Sequence, residues 1–97
     1  MTTATDTTYN GWTNYETWNV KLWLDNDEAT QELQHEWSRQ AKLQLYDDKT
    51  CVVACLARSF VEEMAPTLTG TYEDLLATAI QNVNFMEIAR HILEDSE

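Results

Sequence analysis

The residues best suited to hold a soft metal are His35, Cys51, Cys55 and His91. Structural zinc sites are assembled from close pairs of such ligands, one pair completing the other. Cys51 and Cys55 supply one pair, and the two histidines are scattered, so the spacing does not read as a zinc site. Four positions apart on one helix, two cysteines align but reach poor geometry for a disulfide. They read as free thiols in a reducing compartment, acting as small apolar packing residues. Asp25, Asp27 and Glu36 fall at the first, third and last positions of a calcium loop of EF-hand length. Ala29 and Thr30 stand where that loop needs a ligand and a glycine, which removes calcium.

Catalysis fares no better. No nucleophile, base and orienting group can be drawn from two cysteines and two distant histidines. With two glycines in the chain, there is no phosphate-cradling loop or dinucleotide fingerprint. The reading is a non-enzymatic protein with no cofactor and no metal.

What remains is charge. Seventeen Asp and Glu against six Lys and Arg give a net charge of −11 over 97 residues. A field of that sign repels nucleic acid and anionic membranes and attracts basic surfaces. Simple solubility is the bland account, with the carboxylates on solvated helix faces. The specific account is a basic, nucleic-acid-handling partner, to which regularly spaced carboxylates present themselves in place of backbone phosphates. Glu28, Glu32 and Glu36 form one row at helical spacing, each about 6 Å along the axis from the next. Asp25, Asp27, Asp47 and Asp48 flank that row. Glu62, Glu63, Glu73 and Asp74 form a second cluster on either side of a loop.

The elements that position these side chains read as helices. Thr13 and Glu16 have capping-box spacing and open a first helix over about 14–24. It carries two apolar stripes, one of Tyr15, Trp18 and Leu22, the other of Val20, Trp23 and Leu24. Two stripes predict a helix sandwiched between neighbours, the structural centre of the domain. Asp25 and Glu28 repeat the capping spacing and start a second helix over about 27–45, buried through Ala29, Leu33, Trp37 and Ala41. A third helix, about 50–64, covers a wide apolar arc through Val53, Leu56, Ala57, Phe60, Val61 and Met64. Pro66 and Gly70 make the evident loop. Thr71 and Asp74 resemble a capping pair ahead of a fourth helix with Tyr72, Leu75, Leu76, Ala79 and Ile80 in phase. A phase shift at Asn82–Asn84 predicts a fifth helix over about 85–94, capped by Asn84. No useful stretch alternates as a strand does, so the fold class is all-α: one compact domain at 13–97, centred on the first and third helices. The Thr-rich segment 1–12 reads as a flexible tail from which Trp12 folds back onto the first helix.

The stretch NYETWNVKLWLDNDE, at 14–28, resembles the signature of a family of small, mostly uncharacterised proteins of phages, plasmids and other mobile elements. The shared pattern is an N-Y-E-T-W segment, an L-W pair and N-D-E. TYEDLLATAIQNVNFMEIARHILED is similar to that family's C-terminal segment, so the resemblance spans roughly 14–95. Ala29 replaces a frequent glycine and Phe85 a frequent tryptophan, differences of local backbone and packing. The resemblance implies no reaction or cofactor. It implies a mobile-element setting, in which small acidic proteins often block host defences such as restriction or CRISPR systems. The expected function is thus a cytoplasmic inhibitor of a nucleic-acid-handling host protein, with DNA mimicry as the candidate means. The alternative expectation is a regulatory interaction domain, homodimeric or not, that uses an exposed aromatic surface around Trp12 or Trp23.

Overall fold

The computed structural model describes residues 9–43 and 48–95. Five helices follow one another: α1 (Tyr15–Asp25), α2 (Glu28–Leu43), α3 (Lys49–Met64), α4 (Thr71–Asn82) and α5 (Phe85–Asp95). No strand occurs among the described residues, and the five-helix, all-α expectation holds.

The centre differs from expectation. α3 packs most extensively on α5 and next on α2, whereas α1 makes lighter contacts with α2, α4 and α5. The reason lies in side-chain size and phase. α5 buries Phe85, Ile88, Ala89 and Ile92, a pattern of i, i+3, i+4 and i+7 along one face. α3 meets it with Val53, Ala54 and Ala57, small enough to let two helix axes approach closely. Trp37 of α2 closes the core from the other side, with its ring edge-on to Phe60 at 5.7 Å. Met64, expected in the apolar arc of α3, is exposed.

α1 buries neither of its predicted stripes whole: of the two, only Leu24 is fully buried, with Val20 packed partly against the core. Its inward residues are Thr17, Lys21 and Leu24, while Tyr15, Leu22 and Trp23 are exposed. A mixed face of this kind goes inside only if its polar groups find partners, and they do. The fully buried Thr17 hydroxyl donates to Asn14 Oδ1 at 2.6 Å and accepts from the Asn84 amide at 2.8 Å. Lys21 Nζ donates to both carboxylate oxygens of Asp25, at 2.7 and 2.9 Å.

The caps follow the same correction. Asn14, not Thr13, caps α1, its Oδ1 accepting from the Thr17 amide at 2.9 Å. The Thr13 amide instead donates across the domain to Glu87 at 3.0 Å. Asp27 accepts from the Ala29 amide at the start of α2, which leaves Asp25 to Lys21 and Gln34 rather than to a capping box with Glu28. On α2, Trp37 and Ala41 are buried as expected, but Ala29 is exposed and Leu33 half-buried, and Gln34 and Ser38 go inside. Gly70 caps α4 at φ +67 without a side-chain hydrogen bond, so Thr71 and Asp74 do not form the expected cap. Asn84 does cap α5, accepting from the Glu87 amide at 3.1 Å, as its spacing predicts.

Of the expected tail, residues 1–8 lie outside the described residues. Residues 9–12 form a tight turn in which Tyr9 and Trp12 exchange both backbone hydrogen bonds, at 2.7 and 2.8 Å. Asn10 and Gly11 both take positive φ, as a type I′ turn requires. Tyr9 packs on Tyr15 and Trp18 of α1, and Trp12 stacks on His91 of α5 at 4.2 Å, so Trp12 folds back onto the last helix and not the first.

Candidate partner-binding site

Two surfaces could meet a partner: the carboxylates, and an apolar groove bounded by α1, α3 and α4.

Ten of the eleven candidate carboxylates lie among the described residues, and Asp47 lies outside them. Five of the ten are engaged within the domain. Asp25 holds Lys21 and Gln34, Asp27 and Asp48 cap α2 and α3, and Glu62 accepts from Arg58 at 3.1 Å. Glu36 accepts from Arg39 and from Gln40. The Arg39 hydrogen bond, helped by that from Gln40, holds the Glu36 carboxyl below its ordinary range. The side chains of Glu28, Glu32, Glu63, Glu73 and Asp74 make no hydrogen bond or ion pair among the described residues, and all five are exposed.

These free carboxylates fall in two places. Glu28 and Glu32 stand one turn apart on α2, and Glu32, Glu36, His35 and Arg39 line one shallow surface there. Glu63 ends α3 while Glu73 and Asp74 open α4, the latter two where acidic side chains suit the positive end of the helix dipole. Asp25 lines a depression with Gln34, Ile92, Asp95 and His35, the last of which also lines the Glu32 and Glu36 surface.

The groove was not readable as a site. It has a volume of about 600 Å³ and is lined by Tyr15, Val20 and Trp23 of α1, Phe60, Val61 and Met64 of α3, and Leu76, Ala79 and Ile80 of α4. α4 buries no residue fully, and Tyr72 and Leu75 are 70% and 61% exposed. Trp23 is 67% exposed at the rim. The signal in the sequence was the second stripe of α1, read as helix-packing surface when half of it faces solvent.

Cys51 and Cys55 are free and exposed, so they do not serve as packing residues. No group of three or more His, Cys, Asp and Glu side chains among the described residues is placed to hold a metal ion. No helix among the described residues is long and apolar enough to cross a membrane.

The N-Y-E-T-W segment and the junction of α4 with α5 thus form one hydrogen-bonded unit, and the N-terminal turn packs on α1 and α5 through Tyr9 and Trp12. The residues that carry the sequence pattern and its C-terminal counterpart are in contact, and one family model spans both, matching residues 5–96. The chain belongs to a family of unknown function, DUF7249. No curated protein and no solved structure matches the chain. In this DUF7249 chain the motif residues Asn14 and Thr17 brace the fold.

Proposed function

We propose that the protein is a non-enzymatic binding protein of a phage or other mobile element. It acts in the host cytoplasm on a basic, nucleic-acid-handling protein of a defence system, of the restriction or CRISPR type, with its carboxylates standing in for phosphates. The observation that carries this reading is the exposed, internally unpaired set Glu28, Glu32, Glu63, Glu73 and Asp74 on a domain of net charge −11. Charge left unpaired on a rigid helical frame is free to meet an external cation, whereas carboxylates that cap helices or hold internal cations have a duty already.

The test is capture of partners from host lysate at low salt, elution at high salt and identification by mass spectrometry. A basic nucleic-acid-binding protein released by salt is the expected result, because exposed charge pairs are screened. Charge reversal at Glu28, Glu32 and Glu36 is expected to abolish its capture with helicity intact. Capture that survives both salt and the triple variant overturns the reading.

A second reading, a regulatory interaction domain that self-associates through an aromatic surface, is favoured by the exposure of Trp23 and Tyr15. Sedimentation across a concentration range separates it from the first, since self-association by aromatic burial persists at high salt.

A further inference from the structure

We infer that the groove bounded by α1, α3 and α4 receives a single amphipathic helix of a partner protein, about two turns long, apolar on one face and basic along its flanks. The inference rests on the reading of the domain as a binder of basic partners, and adds where and in what form the partner docks.

Length and lining point to a helix. The α1 wall runs through Tyr15, Asn19 and Trp23, spaced four apart on one face. That span is about 12 Å of helix axis, the rise of roughly two turns. α4 repeats the spacing at Leu76 and Ile80, with Ala79 beside them. An apolar groove walled by helices is the setting in which a further helix lays down residues at i, i+4 and i+7. The polar groups that line the groove do not converge as they would around a small molecule. The Thr30 hydroxyl is spent on the Leu24 and Asp27 carbonyls, and the Asn19 amide on the Tyr15 hydroxyl.

Charge selects the occupant. Among the described residues, Glu16 is the one charged residue that lines the groove, and no Lys or Arg does. Glu73 lies beside the groove residues Leu76 and Ile80 in the adjoining depression. Arg58 of α3 is already held by Glu62. A helix with Lys or Arg beside its apolar stripe therefore meets unpaired carboxylates along the edges. A second copy would bring another net charge of −11 against them. The chain's own residues 1–8, MTTATDTT, offer only Met1 and Ala4 as apolar side chains and add an acid.

The test titrates the full-length protein with a helical leucine–lysine peptide, following the tryptophan emission and the amide NMR spectrum at physiological ionic strength. Its companions are the same peptide with alanine for leucine and with glutamine for lysine. The leucine–lysine peptide is expected to bind and to shift Asn19, Trp23, Leu76 and Ala79. Trp23→Glu and Met64→Glu, at exposed positions, are each expected to weaken it by about ten-fold or more, while Met86→Glu, at an exposed position of α5 outside the groove lining, leaves it within about three-fold. Circular dichroism confirms that each variant is folded. Equal binding of the alanine peptide, or no effect of Trp23→Glu, overturns the groove and leaves the acidic-surface reading standing. Equal binding of the glutamine peptide overturns the basic partner. A concentration-dependent dimer abolished by Trp23→Glu assigns the groove to a second copy instead.

Discussion

The Thr17 hydroxyl and the Asn84 backbone amide are joined at 2.8 Å across 67 residues of sequence, inside a site closed to solvent at Thr17. Around them, the Asn14 side chain reaches the Asn82 carbonyl at 2.6 Å and the Asn84 side chain reaches Thr13 Oγ1 at 3.3 Å. Each asparagine also caps its own helix, so the start of α1 and the start of α5 are fixed by one network. Thr17→Val keeps the shape but leaves the Asn84 amide and the Asn14 carbonyl oxygen short of a partner. The expected loss is about 1–3 kcal/mol, the cost of unsatisfied buried polar groups. Thr17→Ser, which retains the hydroxyl, is expected to lose less. Urea unfolding of the two variants gives the comparison, and equal losses would point to the methyl group instead.

Lys21 is buried, while its partner Asp25 keeps about half of its side chain exposed. Gln34 adds a third member, donating to Asp25 Oδ1 at 3.1 Å and to the Leu24 carbonyl at 2.9 Å. Removing the acid strands a buried ammonium, whereas removing the ammonium strands only a carboxylate that water can reach. Asp25→Ala is therefore expected to cost more than Lys21→Met. Its loss should be about 1–2 kcal/mol, short of a fully buried pair because Asp25 is half-exposed. Thermal denaturation at neutral pH reads the order, and the reverse order would show that Lys21 contributes mainly by packing its alkyl chain.

The sequence was most legible where apolar side chains alone set the period. The i, i+3, i+4 and i+7 pattern of α5 and the cap at Asn84 were readable because no polar residue interrupts the buried face. α1 misled because its interior is polar: Thr17 and Lys21 go inside, and only the distant Asn84 and the acid at Asp25 make that affordable. Pattern reasoning gives such positions to solvent. The same error hid the groove, because an apolar stripe with no neighbour across from it reads like one that is packed. The Asn10-Gly11 turn was readable, since that dipeptide is the usual type I′ signal. It was overlooked because the threonines before it read as tail. Among the acids, spacing located the rows but could not separate Asp27 and Asp48, which cap helices, from Glu28 and Glu32, which do not.

Trp23 and Trp37 lie at opposite extremes, 67% and 4% exposed. Trp37→Ala removes a core ring that packs on Phe60 and is expected to cost about 3–5 kcal/mol, enough to unfold a domain of this size in part. Trp23→Ala is expected to stay within about 0.5 kcal/mol, as surface substitutions do. Acrylamide quenching provides an independent check. Loss of Trp23 should remove the most quenchable component of the emission, and an unchanged quenching profile would mean that the groove is closed in solution.

Glu36 and Arg39 stand three residues apart on α2, and their hydrogen bond lowers the Glu36 pKa, with Gln40 contributing. A carboxyl whose folded pKa lies below its unfolded value adds stability above the unfolded pKa and loses it as pH falls through the folded one. Because the pair is exposed, the effect on global stability is expected to be small. The clearer readout is the titration itself. Arg39→Gln removes the principal donor, so the Glu36 pKa is expected to rise toward the ordinary glutamate value, measured from its side-chain carboxyl shift by NMR. Adding salt to the wild-type protein should move it the same way but less, since screening weakens the charge attraction and leaves the hydrogen bond. A Glu36 pKa indifferent to Arg39→Gln would show that the pair does not persist in solution, and would place Glu36 with Glu28 and Glu32 as a carboxylate free for a partner.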